Sequence, residues 1–313
     1  MSESLTRLPT PVRVHVRIPA TSANLGPGFD ALGLAFALYN EVEAAEAERV
    51  TVQIQGEGAG RPATNEANVV ARGVRLAYEA AGRPFAGCAL ACVNRIPTSR
   101  GLGSSAAAWV GGLVAGNALL GEPLDRQALL GLAARAEGHP DNVAAALFGG
   151  LTVSCAGASG VVAVSLAVPS SLHWVVLVPE VTSATAEARA VLPRSVSRQD
   201  AVFNVQRVAL LLAALQGGRL EALGTALQDR LHQPYRRRLF PWMDDVASAA
   251  RAAGALGSVL SGAGPSLLAV VEGDADRVAR AMEEALGRAG IRGAARVLEV
   301  DLRGALSRIE PSA

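Results

Sequence analysis

Residues 97–108 read Pro-Thr-Ser-Arg-Gly-Leu-Gly-Ser-Ser-Ala-Ala-Ala, a pattern that predicts a tight loop opening into a helix. Gly101 and Gly103 allow backbone angles that are closed to other residues and let a ligand approach the main chain. The two serines that follow stand near the position of a helix cap, and residues 106–120 form an alanine-rich helical run. Free N–H groups and the positive end of the helix dipole would then face one point, which suits a phosphate. The structural alternative is a serine-capped turn before a buried helix, because a lone glycine-rich pattern is a weak signal.

Lysine is absent from the chain, so all 29 basic side chains are arginines. This excludes a Walker A lysine, a protein-kinase ATP lysine and any Schiff-base mechanism. The formal net charge is +1 and the arginines are scattered apart from residues 236–238, so we expect no nucleic-acid partner. A phosphate bound by this chain would be held by backbone N–H groups, hydroxyls, arginines and a metal ion.

The length of 313 residues allows one large domain or two medium ones. Mean hydropathy is +0.28, but no apolar run reaches the ~18 residues that a membrane span needs, so we expect no membrane partner. Residues 1–10 lack the apolar region of an export signal. Cys88, Cys92 and Cys155 form neither a disulfide framework nor a metal-ligand motif. We expect them to be core residues of a cytoplasmic protein.

Strand and helix patterns alternate irregularly along the chain. Strands are predicted at 12–18, 34–45, 50–55, 88–93, 173–179, 267–271 and 296–302, and helices at 68–81, 106–120, 124–137, 202–215, 220–231 and 277–288. The second half reads as a separate lobe, and residues 261–266 read as a hairpin-like loop. Because the βαβ order is not regular, we predict an α+β fold rather than a doubly wound sheet.

The loop at residues 19–30 follows the first predicted strand and contains small polar groups. Asn24 offers a donor and an acceptor, and an ionised Asp30 accepts hydrogen bonds from an ammonium. The pair would therefore suit an amino-acid-like substrate. An ordinary Asx-stabilised turn is the alternative interpretation.

A second polar cluster, Glu137-Gly-His-Pro-Asp-Asn, precedes another alanine-rich segment. Glu137 is a hard oxygen ligand of the kind that Mg²⁺ takes beside nucleotide phosphates. His139 could hydrogen-bond a substrate, and Asn142 could orient a hydroxyl nucleophile. Alternatively, Asp141 and Asn142 simply cap the following helix.

Four motifs in this order resemble those of the GHMP small-molecule kinases: residues 19–33, the Pro-x-x-x-Gly-Leu-Gly-Ser-Ser-Ala-Ala run at 97–107, Glu-Gly-His-Pro-Asp-Asn-Val at 137–143, and Ser-Gly-Ala-Gly-Pro-Ser at 261–266. Within that superfamily, Ser-Ala-Asn-Leu-Gly-Pro-Gly-Phe-Asp and His-Pro-Asp-Asn-Val resemble the homoserine kinases. The resemblance implies two lobes, an N-terminal ribosomal-S5-domain-2-like lobe at residues 1–165 and a C-terminal ferredoxin-like lobe at 166–313.

The resemblance also implies the reaction, the transfer of the ATP γ-phosphoryl group to the hydroxyl of L-homoserine in threonine biosynthesis, with Mg²⁺ and commonly as a homodimer. The implied ATP-binding residues are Asn68, Pro97, Arg100, Gly101, Leu102, Gly103, Ser104, Ser105, Ala106 and Ala107. Ser105 and Glu137 would hold Mg²⁺. The implied third glycine-rich motif, Ser261, Gly262 and Gly264, would help to close the site.

The implied substrate residues are Asn24, Asp30, His139, Arg189 and Arg236. Asp30 would take the ammonium, and the two arginines would bind the carboxylate as planar forks. Three other arginines, at positions 230, 237 and 238, lie close to Arg236 in sequence and leave that assignment open. His232 is given no role.

The implied catalytic residues are Glu137, Asp141 and Asn142. Mevalonate-type relatives place a carboxylate where it can take the hydroxyl proton, whereas the matching residue here is Asn142, and an amide is not a base. We therefore expect direct attack by the hydroxyl, with catalysis from alignment and charge stabilisation in a loose transition state. Assistance by Asp141 stays open.

Two alternatives remain at this stage. Another GHMP small-molecule kinase would share the ATP loop but need different contacts at Asn24, Asp30, Arg189 and Arg236. A non-catalytic nucleotide-binding protein would keep the loop without transferring phosphate. A Rossmann oxidoreductase is disfavoured, because the third glycine of its fingerprint is missing.

Overall fold

A computed structural model describes residues 12–158 and 160–310 of the chain. Its strands are β1 Arg13–Ala23, β2 Leu32–Glu46, β3 Thr51–Gly56, β4 Cys88–Asn94, β5 Leu151–Gly157, β6 Gly160–Leu166, β7 His173–Pro179, β8 Gly257–Leu260, β9 Leu267–Val271, β10 Gly293–Leu298 and β11 Leu306–Glu310. Its helices are α1 Val69–Ala80, α2 Ser104–Leu119, α3 Arg126–Glu137, α4 Asp141–Phe148, α5 Thr185–Ala190, α6 Arg198–Gly217, α7 Leu223–Ala226, α8 Gln233–Arg236, α9 Met243–Ala252 and α10 Ala275–Arg288.

The first sheet has the strand order β11-β1-β2-β4-β3, and β5 pairs with both β2 and β6. On β1, Val14, Val16 and Ile18 alternate with more exposed polar residues and are buried, as the period of a strand requires. Helices α2 and α4 pack against β1 and β2, and α1 packs against α2. This layer places the ends of β1 and β4 beside the start of α2.

The second sheet has the strand order β10-β7-β9-β8, and all of its neighbours are antiparallel. With α9 before β8 and α10 between β9 and β10, the lobe has the βαββαβ order of a ferredoxin-like unit. The predicted α+β fold is thus confirmed.

Strand β7 shows how the two lobes share their cores. Trp174 and Val176 point into the large core that includes the first sheet, while Val175 and Leu177 point into a smaller core formed with α9 and α10. Since successive side chains of a strand face opposite ways, one strand serves both layers.

Several local predictions are wrong. The helix predicted at 220–231 ends at Ala226, because the Asp229 carboxylate accepts hydrogen bonds from the backbone N–H groups of residues 231, 232 and 233 and turns the chain. The loop predicted at 19–30 begins at Asn24, since β1 continues to Ala23.

The strand predicted at 296–302 is β10, which lies at Gly293–Leu298, and it is not the last strand. Strand β11 follows it and pairs with β1 in the first sheet. β11 escaped prediction because its short sequence, Leu-Ser-Arg-Ile-Glu, carries a weak apolar pattern. The division of the chain at residue 165 stays a prediction, with the addition that residues 306–310 return to the first sheet.

Cys88 and Cys92 are core residues, as expected, and burial raises the pKa of each thiol to about 11. Cys155 is exposed, contrary to expectation, because the far half of β5 extends beyond the core. The expectation about residues 1–10 lies outside the described residues. Among the residues that the structure describes, no helix is both long enough and apolar enough to span a membrane.

Helices α1 and α2 approach so closely that glycine is required at their contact. A Cβ atom on Gly112 would lie 2.1 Å from the carbonyl oxygen of Val70. We expect Gly112→Ala to lower the free energy of unfolding by about 1–3 kcal/mol through overpacking, as measured by urea denaturation. Gly131→Ala on α3 is the matched control: its nearest neighbour would be an Arg135 nitrogen at 3.6 Å, and it should be neutral or stabilising. Equal midpoints for the two variants would contradict this account of the contact.

Candidate active site

The glycine-rich loop is enclosed by other segments of the chain. Gly101 and Gly103 have φ angles of +74° and +69°. A Cβ on Gly101 would lie 2.2 Å from the Ser261 carbonyl oxygen, and a Cβ on Gly103 would lie 1.9 Å from the Thr21 hydroxyl oxygen. Both positions therefore require glycine, and the loop is more than a plain turn.

Helix α2 begins at Ser104, and its cap is Gly103, which makes no side-chain cap bond. The expected serine cap is absent, because both serines lie inside the first turn of the helix. The Ser105 hydroxyl donates to the Glu137 carboxylate at 2.7 Å. The first N–H groups of α2 are thus left without a side-chain cap at a point where an anion would be stabilised.

The loop at 261–266 faces the glycine-rich loop, as the resemblance implied. The Ser261 hydroxyl donates to the Gly101 carbonyl oxygen at 2.7 Å and lies 2.9 Å from the Ser22 hydroxyl. The Asn24 amide donates to the Gly262 carbonyl oxygen at 2.8 Å and accepts from the Asp30 N–H at 3.0 Å. These hydrogen bonds join three loops from distant parts of the sequence.

A cavity of about 330 Å³ opens between these loops. One part of its lining is apolar and comes from Val42, Ile54, Pro62, Val69 and Cys92. Another part is polar and comes from Asn24, Asp30, Glu137, His139, Asp141, Asn142, Arg189 and Arg236. A cavity with apolar walls and a few convergent polar groups is typical of a ligand site.

Ser105 and Glu137 bring a hydroxyl and a carboxylate together at the start of α2 and the end of α3. Burial raises the pKa of Glu137, and this effect outweighs the Ser105 hydrogen bond and the charge of His139. Within 12–158 and 160–310 there is no group of three or more His, Cys, Asp or Glu placed to hold a metal ion. The two oxygen donors fit Mg²⁺ in the form that it takes beside phosphates, with one or two carboxylates and waters completing its ligands.

Asp141 is only 2% exposed and organises its neighbours. Its Oδ1 lies 2.7 Å from Nδ1 of His139 and accepts from the Asn142 backbone N–H at 2.7 Å. Burial alone would lower the pKa of His139, but the hydrogen bond and charge of Asp141 and the charge of Glu137 outweigh it and raise that pKa. The Asp141 carboxylate is thus already committed to two donors.

Arg236 is 1% exposed, although it carries a charge. Its Nε donates to the Ala188 carbonyl oxygen at 3.1 Å, and its Nη1 donates to the Gly262 carbonyl oxygen and to Nδ1 of His232, both at 3.0 Å. Burial, together with the charge of Arg189, lowers its pKa to about 10. None of the described carboxylates lies within ion-pair distance of it, so a buried positive charge faces the cavity without a counter-charge in contact.

His232 fixes the position of the Arg236 guanidinium through a hydrogen bond. Since Nδ1 accepts from the guanidinium, Nε2 must carry the proton, and it donates to the Gly26 carbonyl oxygen at 2.7 Å. Burial lowers the pKa of His232, which keeps the ring neutral. His232 was given no role from the sequence, although its spacing of four from Arg236 was an available signal.

Asp30 and Arg189 form an ion pair with two hydrogen bonds, of 2.7 and 3.1 Å. Hydrogen bonding to Asp30 raises the pKa of Arg189. Asp30 was expected to bind the ammonium of an amino acid and Arg189 its carboxylate. In this structure the two side chains bind each other.

The other nearby arginines lie elsewhere. Arg230 stacks over Phe203 and pairs with Asp200, Arg237 pairs with Asp244, and Arg238 is exposed. Of these four arginines, only Arg236 lines the cavity.

Comparison with known proteins identifies the family. The models for the GHMP kinases N-terminal domain and the GHMP kinases C-terminal region match residues 68–150 and 211–288. A homoserine kinase of Moorella thermoacetica is 46% identical over 277 residues, covering 88% of this chain and 94% of that protein. The chain belongs to the homoserine kinase family. A second homoserine kinase, from Deinococcus radiodurans, is 47% identical over 253 residues, covering 81% of this chain and 82% of that protein.

The crystal structure of a homoserine kinase from Cytophaga hutchinsonii superposes with a TM-score of 0.86 at 31% identity, covering 98% of this chain and 99% of that chain. Mevalonate kinase of L. major, in complex with R-mevalonate, has a TM-score of 0.62 at 18% identity and covers 94% of this chain and 98% of that chain, a likeness of fold alone.

Nearly all of the residues predicted for the site line the one cavity. The exceptions are Ala106 and Ser261, which are fully buried behind its wall. Asn68 lines the cavity while its side chain caps α1.

The apolar wall and two hydroxyl residues were not predicted to line the site. These are Ser183, which precedes α5, and Thr185, the first residue of α5. The Ser183 hydroxyl is buried and has no partner within the described residues. The apolar wall had no sequence signal, because it comes from three strands, one loop and the start of α1, whose residues look like ordinary core.

Glu137 allows a test of how a buried site residue lowers the free energy of unfolding. Because burial raises its folded pKa above the unfolded value, its contribution to stability is present below the unfolded pKa and is lost as pH rises through the folded pKa. We expect urea unfolding over a pH series to show wild type losing stability relative to Glu137→Gln across that interval, so that the variant is the more stable above it. Glu48→Gln, at an exposed position, is the control and should follow wild type. A constant difference between wild type and Glu137→Gln at every pH would argue against the assignment.

Proposed function

We propose that this chain transfers the γ-phosphoryl group of ATP to the side-chain hydroxyl of L-homoserine, giving O-phospho-L-homoserine in threonine biosynthesis. Membership of the homoserine kinase family supports this reaction. The observation that carries it is the buried Arg236 beside the Asp30–Arg189 pair, next to the start of α2. Together these side chains could bind both the carboxylate and the ammonium of an amino acid, close to the helix start where a phosphate would be bound.

For ATP, we propose that the triphosphate lies against the glycine-rich loop and the first turn of α2. The loop N–H groups and the helix dipole would stabilise its negative charge. Ser105 and Glu137 would hold Mg²⁺, which supplies neutralisation of the charge on the phosphates. The apolar wall of the cavity would receive the uncharged part of the nucleotide.

For L-homoserine, the carboxylate would bind Arg236 and Arg189, and the ammonium would bind Asp30. Arg236 gains a counter-charge that it lacks in this structure, which offsets the desolvation of both groups. The Asp30–Arg189 pair would open to admit the zwitterion, exchanging one ion pair for two. His139 and Asn24 would supply further hydrogen bonds at the wall of the cavity.

The chemistry would be direct attack. The substrate hydroxyl oxygen forms a bond to the γ-phosphorus, the bond from that phosphorus to the ADP oxygen breaks, and the hydroxyl proton leaves to a phosphoryl oxygen. Asp141 would position His139 and Asn142 rather than take the proton, because its carboxylate is 2% exposed and already accepts from both residues. Alignment and charge stabilisation then supply the rate enhancement.

Residence in the cytoplasm and assembly as a homodimer stay predictions. Cell fractionation and light scattering of the purified protein test them.

The first test measures ADP release from Mg-ATP with a panel of acceptors. We expect turnover with L-homoserine and little with D-homoserine, L-serine, L-threonine or mevalonate. Two analogues each lack one charge: 4-hydroxybutanoate lacks the ammonium, and 2-aminobutane-1,4-diol has a hydroxymethyl group in place of the carboxylate. Both should be poor acceptors, because each leaves a charged partner unpaired. Equal turnover with 4-hydroxybutanoate would remove Asp30 from the substrate site, and turnover with mevalonate alone would replace the proposed substrate.

The role of Arg236 is tested by Arg236→Met, which keeps a buried stem and removes the charge. We expect the KM for L-homoserine to rise about 10- to 100-fold, the worth of a lost charged hydrogen bond, while the KM for Mg-ATP stays unchanged. Arg238→Met is the matched control and should behave as wild type, because Arg238 is exposed two residues away. A larger effect of Arg238→Met than of Arg236→Met would transfer the role to the neighbour.

A further inference from the structure

We propose that Thr21 is a positioning residue, whose hydroxyl holds the side-chain amide of Asn142 in the one orientation that phosphoryl transfer uses. The inference rests on the proposed function, in which Asn142 touches the reacting groups. Thr21 has no assigned part in that chemistry, and its place on β1 gives no local sign of one.

The hydrogen bond between Thr21 and Asn142 is short, and Thr21 is shielded from solvent. The Thr21 hydroxyl donates to Oδ1 of Asn142 at 2.8 Å, across 121 positions of sequence, and Thr21 is 0% exposed. Asn142 lies in the first turn of α4 and lines the cavity. The hydroxyl has no other hydrogen-bond partner among the residues described, so its contribution is made through Asn142.

The groups around the Asn142 side chain determine the orientation of its amide, that is, the positions of its oxygen and its NH₂. Its Nδ2 is 3.5 Å from Oδ1 of Asp141, and an ionised carboxylate accepts hydrogen bonds but does not donate them. A reversed amide would turn its oxygen toward that carboxylate and its NH₂ toward the Thr21 hydroxyl. The carboxylate therefore selects the orientation, since a hydroxyl can either donate or accept. The Thr21 hydroxyl then fixes the amide in place by donating to its oxygen, which leaves an amide N–H for a ligand in the cavity.

The glycine-rich loop makes room for this hydrogen bond. A Cβ on Gly103 would lie 1.9 Å from the Thr21 hydroxyl oxygen and 3.1 Å from Oδ1 of Asn142. The Thr21 backbone N–H also donates to the Leu102 carbonyl oxygen at 3.1 Å. Thr21 thus fixes the distance between the loop that would hold the phosphates and the amide that would align the acceptor.

Such a link matters most in a site without a dedicated base. When catalysis comes from alignment, a misplacement of about 1 Å can cost about 100-fold in rate. Thr21→Val keeps the shape of the side chain and removes only the hydroxyl, whereas Thr21→Ser keeps the hydroxyl.

The experiment is steady-state kinetics with L-homoserine and Mg-ATP on wild type, Thr21→Val, Thr21→Ser, Asn142→Ala and the double variant Thr21→Val/Asn142→Ala. We expect Thr21→Val to lower kcat about 10- to 100-fold with both KM values little changed, and Thr21→Ser to restore most of kcat. The double variant should be no slower than Asn142→Ala alone, because the hydroxyl acts through that amide.

The outcomes separate this inference from the proposed function. A wild type that transfers no phosphate to L-homoserine overturns the proposed function and the inference with it. An active wild type whose Thr21→Val variant keeps its kcat overturns the inference alone. So does a Thr21→Val variant that raises the KM for Mg-ATP instead, or that slows the Asn142→Ala enzyme as much as it slows wild type, since the hydroxyl would then act on the phosphate loop. If thermal melting shows that Thr21→Val does not fold, Thr21→Ala, which only removes atoms, makes the same comparison.

Discussion

The hydrogen bonds that join three loops around the start of α2 are the constraint on which the rest of the site depends. Ser261 binds the carbonyl of Gly101, and Asn24 binds the carbonyl of Gly262. The first sheet ends at one of these loops and the second sheet ends at another, so the two lobes meet where the cavity lies. A helix start that is held this rigidly presents its N–H groups without reorganisation, which is how fixed dipoles stabilise a developing charge.

The site is built from groups that the fold alone would not favour. Arg236 is buried with carbonyl oxygens and a neutral histidine for partners, and Glu137 is buried enough for its pKa to rise. Each would be more stable in water or replaced by an apolar side chain. Two such groups in one cavity are typical of a functional site, where stability is given up for binding.

Much of the fold and site could be predicted from sequence, because four motifs are contiguous and each follows or opens a regular element. Gly101 and Asp30 could be recognised in this way. The support beneath them could not: Thr21 meets Asn142 across the fold, and His232 meets Gly26, so neither contact has a local pattern. Nor does any sequence rule reveal that Asp30 and Arg189 bind each other, because the two residues are distant in sequence and the pairing depends on the fold.

The pairing of β11 with β1 joins the two ends of the described chain in one sheet. During synthesis β1 is made long before β11. The edge of β1 that β11 covers therefore stays unpaired until β11 has been made, a long-range closure of the kind that slows folding and exposes an edge to other chains. The far end of β1 pairs with β2 and not with β11. The loop that begins with Asn24 continues from that end, and it gains its hydrogen bond to Gly262 only after that part of the second lobe has been synthesised.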